Sequence, residues 1–514
     1  MCIVSLLLDQ LISHRQPDDH IAIESLTLTG EGCLVTYGEL RPKIIAMTHL
    51  LYAKGIGKSR GQRVIIMAPD CAEMVIAYLA VMAFGATAVA VNYRLTKAEI
   101  EAIIVDAKPS HIIVDNEFRP SLPATKVQKI SLDLLWQNLG KVKKTDPFSI
   151  YEFGPERYFW VYSSGTTGKP KAVVHSFSDI YQSSAHLQNN LLVTPQDRIF
   201  VTSKCFFAYA LGISIFGALR LGATVILMRE WPSDQYLRSV IYWERPTIIF
   251  SVPTLYRRMI YYPSPFFESV RVFVSAGERL PTVIQENCIE QLGKPILDSF
   301  GTSESLFMIF GGSVTPDGGF DWRPNSCGKP IKGVKVKLLP LTGESAQDFV
   351  APDHVEIGIL SVKMGSLFSH YWGQPEATER VLQDGWFTTG DVFSRDSDGY
   401  YYHHGRADDL LRLNGHWVAP AEIEFHALNI SGIQDAAVVG CESPDGLMRP
   451  VLFIDFTSPI RGAALTKLMT DQLKPHLAEW KIPREVIVLP SLPRTATGKV
   501  KRNELREIYN SVHI

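Results

Sequence analysis

Short apolar runs alternate with helix-length segments through the first two-thirds of the chain. The runs Arg63–Met67, Thr87–Val91, His111–Val114, Thr224–Met228, Thr247–Phe250 and Val270–Val274 are four or five residues long and rich in Val and Ile. Their length and β-branched content predict buried strands. The helix-length spacing between them predicts parallel sheets covered on both faces.

The stretch Met74–Val91 is apolar enough to suggest a membrane span, but Gly85 divides it. A helix, a glycine C-cap and then the strand Ala-Thr-Ala-Val-Ala-Val is the pattern of a buried α/β unit, so no span is expected. Met82-Ala-Phe-Gly-Ala-Thr-Ala-Val is echoed by Ala218-Leu-Arg-Leu-Gly-Ala-Thr-Val. The echo predicts equivalent units in two related α/β subdomains.

From about Gly328 the pattern changes to Val334–Leu338 and Gly358–Val362 among many Gly, Pro and Asp turns, which predicts a β-rich subdomain. A second change near Arg406–Asp409 opens a tail with strands at Ala436–Val439, Val451–Phe456 and Val486–Leu489. Helices are predicted there at Pro420–Leu428 and Arg461–Leu473. That length suffices for a small α+β domain. The division is therefore 1–407 and 408–514.

A length of 514 residues exceeds what one core usually serves, in agreement with this division. With 46% hydrophobic and 20% charged residues the chain reads as an ordinary globular protein. A formal net charge of -2 gives no reason to expect nucleic acid or an anionic membrane as partner. The seven cysteines are scattered without a CxxC pair, which argues against a disulfide framework or zinc site and for a reducing compartment. The opening Met1–Asp9 lacks the pattern of a signal peptide, so a cytoplasmic location is expected.

Candidate chemistry concentrates in Ser163-Ser164-Gly165-Thr166-Thr167-Gly168-Lys169-Pro170-Lys171, which follows the apolar run Tyr158–Tyr162. Glycines let backbone N–H groups approach phosphate oxygens, while hydroxyls and lysines add donors and positive charge. The bland alternative is a solvated basic turn. A Walker A loop is excluded, because two residues rather than four stand before Gly168-Lys169 and Pro170 follows. That spacing, and the absence of a kinase Asp-Phe-Gly set, argue against a kinase or P-loop ATPase.

The segment resembles the phosphate loop of the adenylate-forming superfamily, which includes acyl- and aryl-CoA ligases, peptide-synthetase adenylation domains and luciferases. Five further segments resemble that family's motifs in order: Phe300-Gly301-Thr302-Ser303-Glu304, Tyr371–Thr378, Phe387–Asp391, Gly405–Asp409 with Gly415 and Pro420–Glu424, and Pro493–Lys499. The resemblance implies ATP and Mg²⁺ as cofactors and an acyl-adenylate passed to a thiol. It implies nucleotide contacts at Ser163, Ser164, Gly165, Thr166, Thr167, Gly168, Lys169, Lys171, Ala276, Gly277, Glu278, Asp298, Ser299, Phe300, Gly301, Thr302 and Ser303. Asp391 would hold the ribose with Arg406 nearby. Lys499 and Thr166 would act on the reacting phosphate, Glu304 would act there through the Mg²⁺ it holds, and Asp408 would be the hinge of a mobile C-terminal domain. A carboxylate attacking a phosphate brings two anions together, so positioned cations are what such chemistry requires.

Phe206–Gly212, Val252–Tyr256 and Ser275–Glu278 resemble the benzoate- and anthranilate-type aryl-CoA ligases most. This resemblance implies an acid pocket of Phe207, Ala208, Tyr209, Ala210, Gly212, Ser275, Ala276, Gly277, Phe300, Gly301 and Phe307. Ala210 stands where that branch has glycine, and Phe307 where it often has histidine. The expected substrate is therefore an aryl or similarly small hydrophobic acid without a strongly polar ring substituent. Only fifteen residues follow Lys499, so the acceptor is expected to be free CoA or the phosphopantetheine of a discrete carrier protein. The rival from another class, a non-catalytic nucleotide-binding protein, is opposed by the retained Lys499.

Overall fold

The computed structural model describes residues 12–13, 16–27, 32–83, 85–142, 158–164, 170–182, 184–341, 354–413, 416–442, 448–494 and 500–512. The elements below are those among the described residues.

Two sheets carry most of the chain. The first has seven strands in the order His370–Tyr371, Pro170–Ser176, Tyr158–Ser164, Thr87–Ala90, Arg63–Met67, His111–Val114 and Gln128–Ser131. The second has nine, in the order Lys329–Pro330, Met308–Gly311, Ile296–Gly301, Val272–Ser275, Ile248–Ser251, Arg198–Val201, Thr224–Met228, Ile21–Leu26 and Gly32–Thr36. Their central strands pair in parallel. The edges do not: Tyr158–Ser164 with Pro170–Ser176, and Ile296–Gly301 with Met308–Gly311, are antiparallel. The expectation of parallel sheets thus holds for the interior and for the Gln128–Ser131 edge, but not for these strand pairs. The few residues joining each edge pair are too short for the helical crossover that a parallel connection needs.

The echoed segments occupy equivalent places. Helix Ala72–Ala83, Gly85 at φ +73° and strand Thr87–Ala90 form one unit, and that strand pairs in parallel with Arg63–Met67. In the other, a helical run from Ala208 to Leu221 ends at Gly222, φ +83°, before Thr224–Met228, which pairs in parallel with Arg198–Val201. Every residue of the helix Ala72–Ala83 except Glu73 packs inside the protein, so its all-round hydrophobicity is that of a core helix. No helix among the described residues is long and apolar enough to cross a membrane.

The β-rich part is a five-stranded antiparallel sheet built on His354–Lys363 and Trp386–Asp396, with Tyr401–Arg406 beside the latter. Beyond Leu411 the chain packs two hydrophobic clusters of its own, around Val438–Leu452–Leu465 and Ala437–Phe453–Leu505. Helices Pro420–Leu428 and Gly462–Leu473 and the sheet of Ile433–Glu442, Met448–Phe456 and Glu485–Val488 supply them.

This C-terminal unit rests on the second sheet through polar contacts. Arg257 donates to the carbonyls of Ile433 and Gln434 at 2.9 Å each. Arg279 lies 4.1 Å from the Phe425 ring centre, and Arg494 stands 3.4 Å from Glu278.

Candidate active site

The strand Ile296–Gly301 organises the site. Alternation along a strand sends Asp298 and Phe300 to one face and Ser299 and Gly301 to the other. Leu297 accordingly joins the large core, while Phe300 packs with the aromatic cluster of the β-rich sheet.

On the Phe300 face the groups suited to a nucleoside converge. The Phe300 ring lies 5.2 Å from His403 and 4.8 Å from Phe393. His403 Nε2 is 3.1 Å from Asp391 Oδ1, and Arg406 donates to Asp391 Oδ2 at 3.2 Å and to the Thr389 carbonyl at 2.6 Å. The register of Trp386–Asp396 with Tyr401–Arg406 sets Asp391 opposite Arg406, which is why two motifs fifteen residues apart meet. Asp298 is enclosed, and burial pushes its carboxyl up to about 8. Its Oδ1 has no partner among the described residues, and it lines a small cleft with Gln285, Trp322 and Asn325.

A second group forms where the two sheets face each other. Tyr371 donates to Glu304 Oε1 at 2.8 Å, and the Lys171 ammonium sits 5.4 Å from the centre of the Tyr371 ring. His175, fully buried, donates from Nε2 to the Ser303 carbonyl at 2.8 Å and meets Asp179 at 3.1 Å. It ties the hairpin strand Pro170–Ser176 to the turn carrying Glu304. Thr302 closes that turn with Ser305 through reciprocal bonds of 3.0 and 3.1 Å. Ser163 pairs with Lys171 and Ser164 with Pro170 at the end of this hairpin's described strands. Gly165, Thr166, Thr167, Gly168 and Lys169 lie outside the described residues, as does Lys499.

The residues expected to line an acid pocket come from three places in the fold. Ala208 and Ala210 begin a helix that continues as a π-helical segment, Leu211–Ala218. Such wide turns favour functional positions because they redirect side chains. A Cβ on Gly212 would stand 2.6 Å from the Phe307 ring, so helix and ring are in direct contact there. Tyr209 is held near the Ser251 carbonyl at 3.5 Å. Ser275 ends the strand Val272–Ser275, Ala276 follows it, and Gly277 at φ +89° turns the chain to Glu278, which accepts from Thr254 at 2.8 Å. Asp408 is exposed on the turn Ala407–Asp409, which follows Arg406.

Sequence reading passed over His403 and His175, which lie between recognised motifs. It also passed over Lys204, which is buried and donates to the Glu230 carbonyl at 2.6 Å. Its neighbour Cys205 donates its N–H to Asp70 at 3.0 Å. Together they fix the loop entering Phe206–Gly212. A lysine inside an apolar run was the available signal, because an ammonium group is almost never buried without partners.

Residues 11–372 match the AMP-binding enzyme family and residues 422–499 its C-terminal domain. The chain belongs to the AMP-binding enzyme family, and it is an AMP-forming acid–thiol ligase of the aryl-CoA ligase kind. It is 40% identical over 504 residues to a 3-hydroxybenzoate–CoA ligase of Aromatoleum sp. (strain CIB), covering 94% of this chain and 93% of that one. It is 36% identical over 501 residues to a 3-hydroxybenzoate–CoA/4-hydroxybenzoate–CoA ligase of Thauera aromatica, covering 92% of each. Its fold is similar to that of an anthranilate CoA ligase solved in complex with anthranoyl-AMP. The TM-score there is 0.86 at 27% identity, over 100% of this chain and 98% of the other.

Proposed function

We propose that this protein joins an aromatic carboxylic acid to CoA in two steps, with residues 1–407 building the cleft and residues 408–514 moving over it. The observation that carries the reading is the two-faced strand Ile296–Gly301. Phe300 lies beside His403 in the Asp391–Arg406 network, while Gly301 packs so closely on the Phe307 backbone, 2.6 Å from where a Cβ would stand, that it ties the strand to the turn carrying the Phe307 ring. A nucleoside on one face and a flat acid on the other would meet at the end of this strand.

In the first step a carboxylate oxygen attacks the α-phosphorus of ATP, the bond to pyrophosphate breaks, and the acyl-adenylate forms. Lys499 would bridge the two anions, with the hairpin-tip residues Thr166, Thr167 and Lys169 holding phosphate oxygens. In the second step the CoA sulfur attacks the acyl carbon and AMP leaves. Asp408 is the hinge between the two arrangements. The relatives compared are CoA ligases, and nothing in them supports a carrier protein as acceptor.

Glu304 fits a magnesium ion, since its Oε1 is anchored by Tyr371 and Mg²⁺ commonly takes only one or two protein carboxylates beside substrate phosphates. Bound there, the ion would neutralise charge on the departing pyrophosphate.

The test is ATP–pyrophosphate exchange across a panel of acids. Exchange driven by benzoates is expected. Exchange driven only by amino acids or long-chain fatty acids contradicts the proposal.

A further inference from the structure

The Gly301 face of the organising strand holds two polar groups that the mechanism above does not use. Gly311 pairs with Ser299 across the antiparallel ladder, so both positions share a face, two residues before Gly301 and on the far side of the register shift at Phe300/Gly301. His186, from the π-helical turn His186–Asn190, fills the space that the missing Gly311 side chain leaves. A Cβ there would stand 2.7 Å from His186 Nε2 and 3.3 Å from its Cδ2. His186 Nε2 and Ser299 Oγ are both buried, at 2% and 4% residue exposure, and neither has a hydrogen-bond partner among the described residues.

Two orphaned polar atoms beside one glycine are costly in an apolar core. Each leaves a desolvation penalty unless something occupies the site. Their position suggests what does. Ser299 lies two residues before Gly301, about 7 Å along the strand. That is the depth reached by the far edge of a benzene ring whose carboxylate sits at the Gly301 end. Neighbouring walls are Leu187, which contacts the Gly217 position of the pocket helix, and the Phe307 ring at Gly212.

We infer that His186 and Ser299 are the specificity residues for a ring hydroxyl, so that the acid is a benzoate hydroxylated away from its carboxylate, at the meta or para carbon. This rests on the aryl-CoA ligase reading and narrows it. A neutral imidazole both accepts and donates, and a phenolic hydroxyl answers either way; burial keeps His186 neutral, with its ring held down to about 4. The serine hydroxyl supplies the complementary partner. Phe307 offers no polar atom, and the pocket recovers one from the opposite wall. This proposal departs from the sequence-based expectation of an acid without a strongly polar ring substituent.

The experiment measures kcat/KM for acid-dependent AMP formation with benzoate and with 2-, 3- and 4-hydroxybenzoate, for the unaltered protein and for His186→Leu and Ser299→Ala. A site built around a hydroxyl rejects the analogue lacking it strongly. The unaltered protein is expected to favour 3- or 4-hydroxybenzoate over benzoate and 2-hydroxybenzoate by about 100-fold or more. Each variant is expected to reduce that ratio to below about tenfold, mainly by losing the hydroxylated acid. A purely structural role would lower all acids together and leave the ratio intact, which overturns the inference. So does equal use of benzoate by the unaltered protein, with the aryl-CoA ligase reading left standing. If no aromatic acid drives AMP formation, that reading fails as well. Should His186→Leu not fold, Ser299→Ala, a smaller change, decides the question.

Discussion

Arg494 stands 3.4 Å from Glu278 while its other nitrogen holds Asp435 at 2.7 Å. Asp435 belongs to the C-terminal sheet, and Glu278 follows the Ser275–Gly277 wall of the pocket. The residue five places before Lys499 is thus anchored at the mouth of the cleft. If the C-terminal unit moves as a body, Arg494 keeps Asp435 and gives up Glu278.

The Arg494 pair should therefore favour adenylate formation alone. Both side chains are about one-third exposed, and such pairs contribute roughly 0.2–1 kcal/mol. Arg494→Ala is expected to slow pyrophosphate exchange about two- to fivefold, with the difference shrinking at high salt. Thioester formation from supplied adenylate should be unaffected by loss of the Glu278 contact. Stopped assays of each half-reaction check this.

The larger separation concerns Lys499 and Asp408. Lys499→Ala should nearly abolish adenylate formation yet spare thioester formation from added aryl-adenylate. Asp408→Pro, which freezes the turn, should do the reverse. Damage to the same half-reaction by both changes would refute the alternation of domains.

Asp391 sits in a charge-assisted network with Arg406 and His403. Asp391→Asn keeps the shape and removes the charge. Hydrogen bonds to charged groups contribute about 1.5–3 kcal/mol, so the KM for ATP should rise about ten- to a hundredfold while the KM for the acid changes little. Steady-state kinetics at saturating acid measure it.

How much of this was open to sequence reading depended on whether a role is local. Ser163–Lys171 and Gly405–Asp409 are contiguous, and strands such as Arg63–Met67 and His111–Val114 fall where their apolar runs stand. The Asp391–Arg406 contact depends instead on the register of a hairpin, which no run of residues displays. His175 and Lys204 gain their meaning from carbonyls 128 and 26 residues away. His186 is harder still. Its significance comes from a glycine on another strand, and a lone histidine beside Leu187 reads as ordinary core.

Burial holds Asp298 protonated near neutrality, with its folded value at about 8 against 3.8 for the ordinary carboxyl. A raised acid binds its proton more tightly when folded, so this contribution to stability is present at low pH and is lost as pH rises toward 8. The melting temperature of the ligand-free protein should fall between about pH 5 and about pH 8. Asp298→Asn, neutral throughout, should flatten that decline. A Tm series in matched buffers tests the sign.

Gly212 touches Phe307 so closely that a methyl group there must displace the ring. Overpacking of this kind costs about 1–3 kcal/mol. Gly212→Ala should raise the KM for the acid without altering that for ATP, and adding Phe307→Leu should restore part of the loss. A double-mutant cycle gives the coupling.

The central claim is that acid activation proceeds through an adenylate and ends as an aryl thioester. Quantifying every product from ATP, CoA and 3-hydroxybenzoate in one reaction tests it most directly. One AMP and one pyrophosphate per aryl-CoA, with no AMP when the acid is omitted, is the predicted result. ADP and phosphate as products, or AMP release indifferent to the acid, would contradict it.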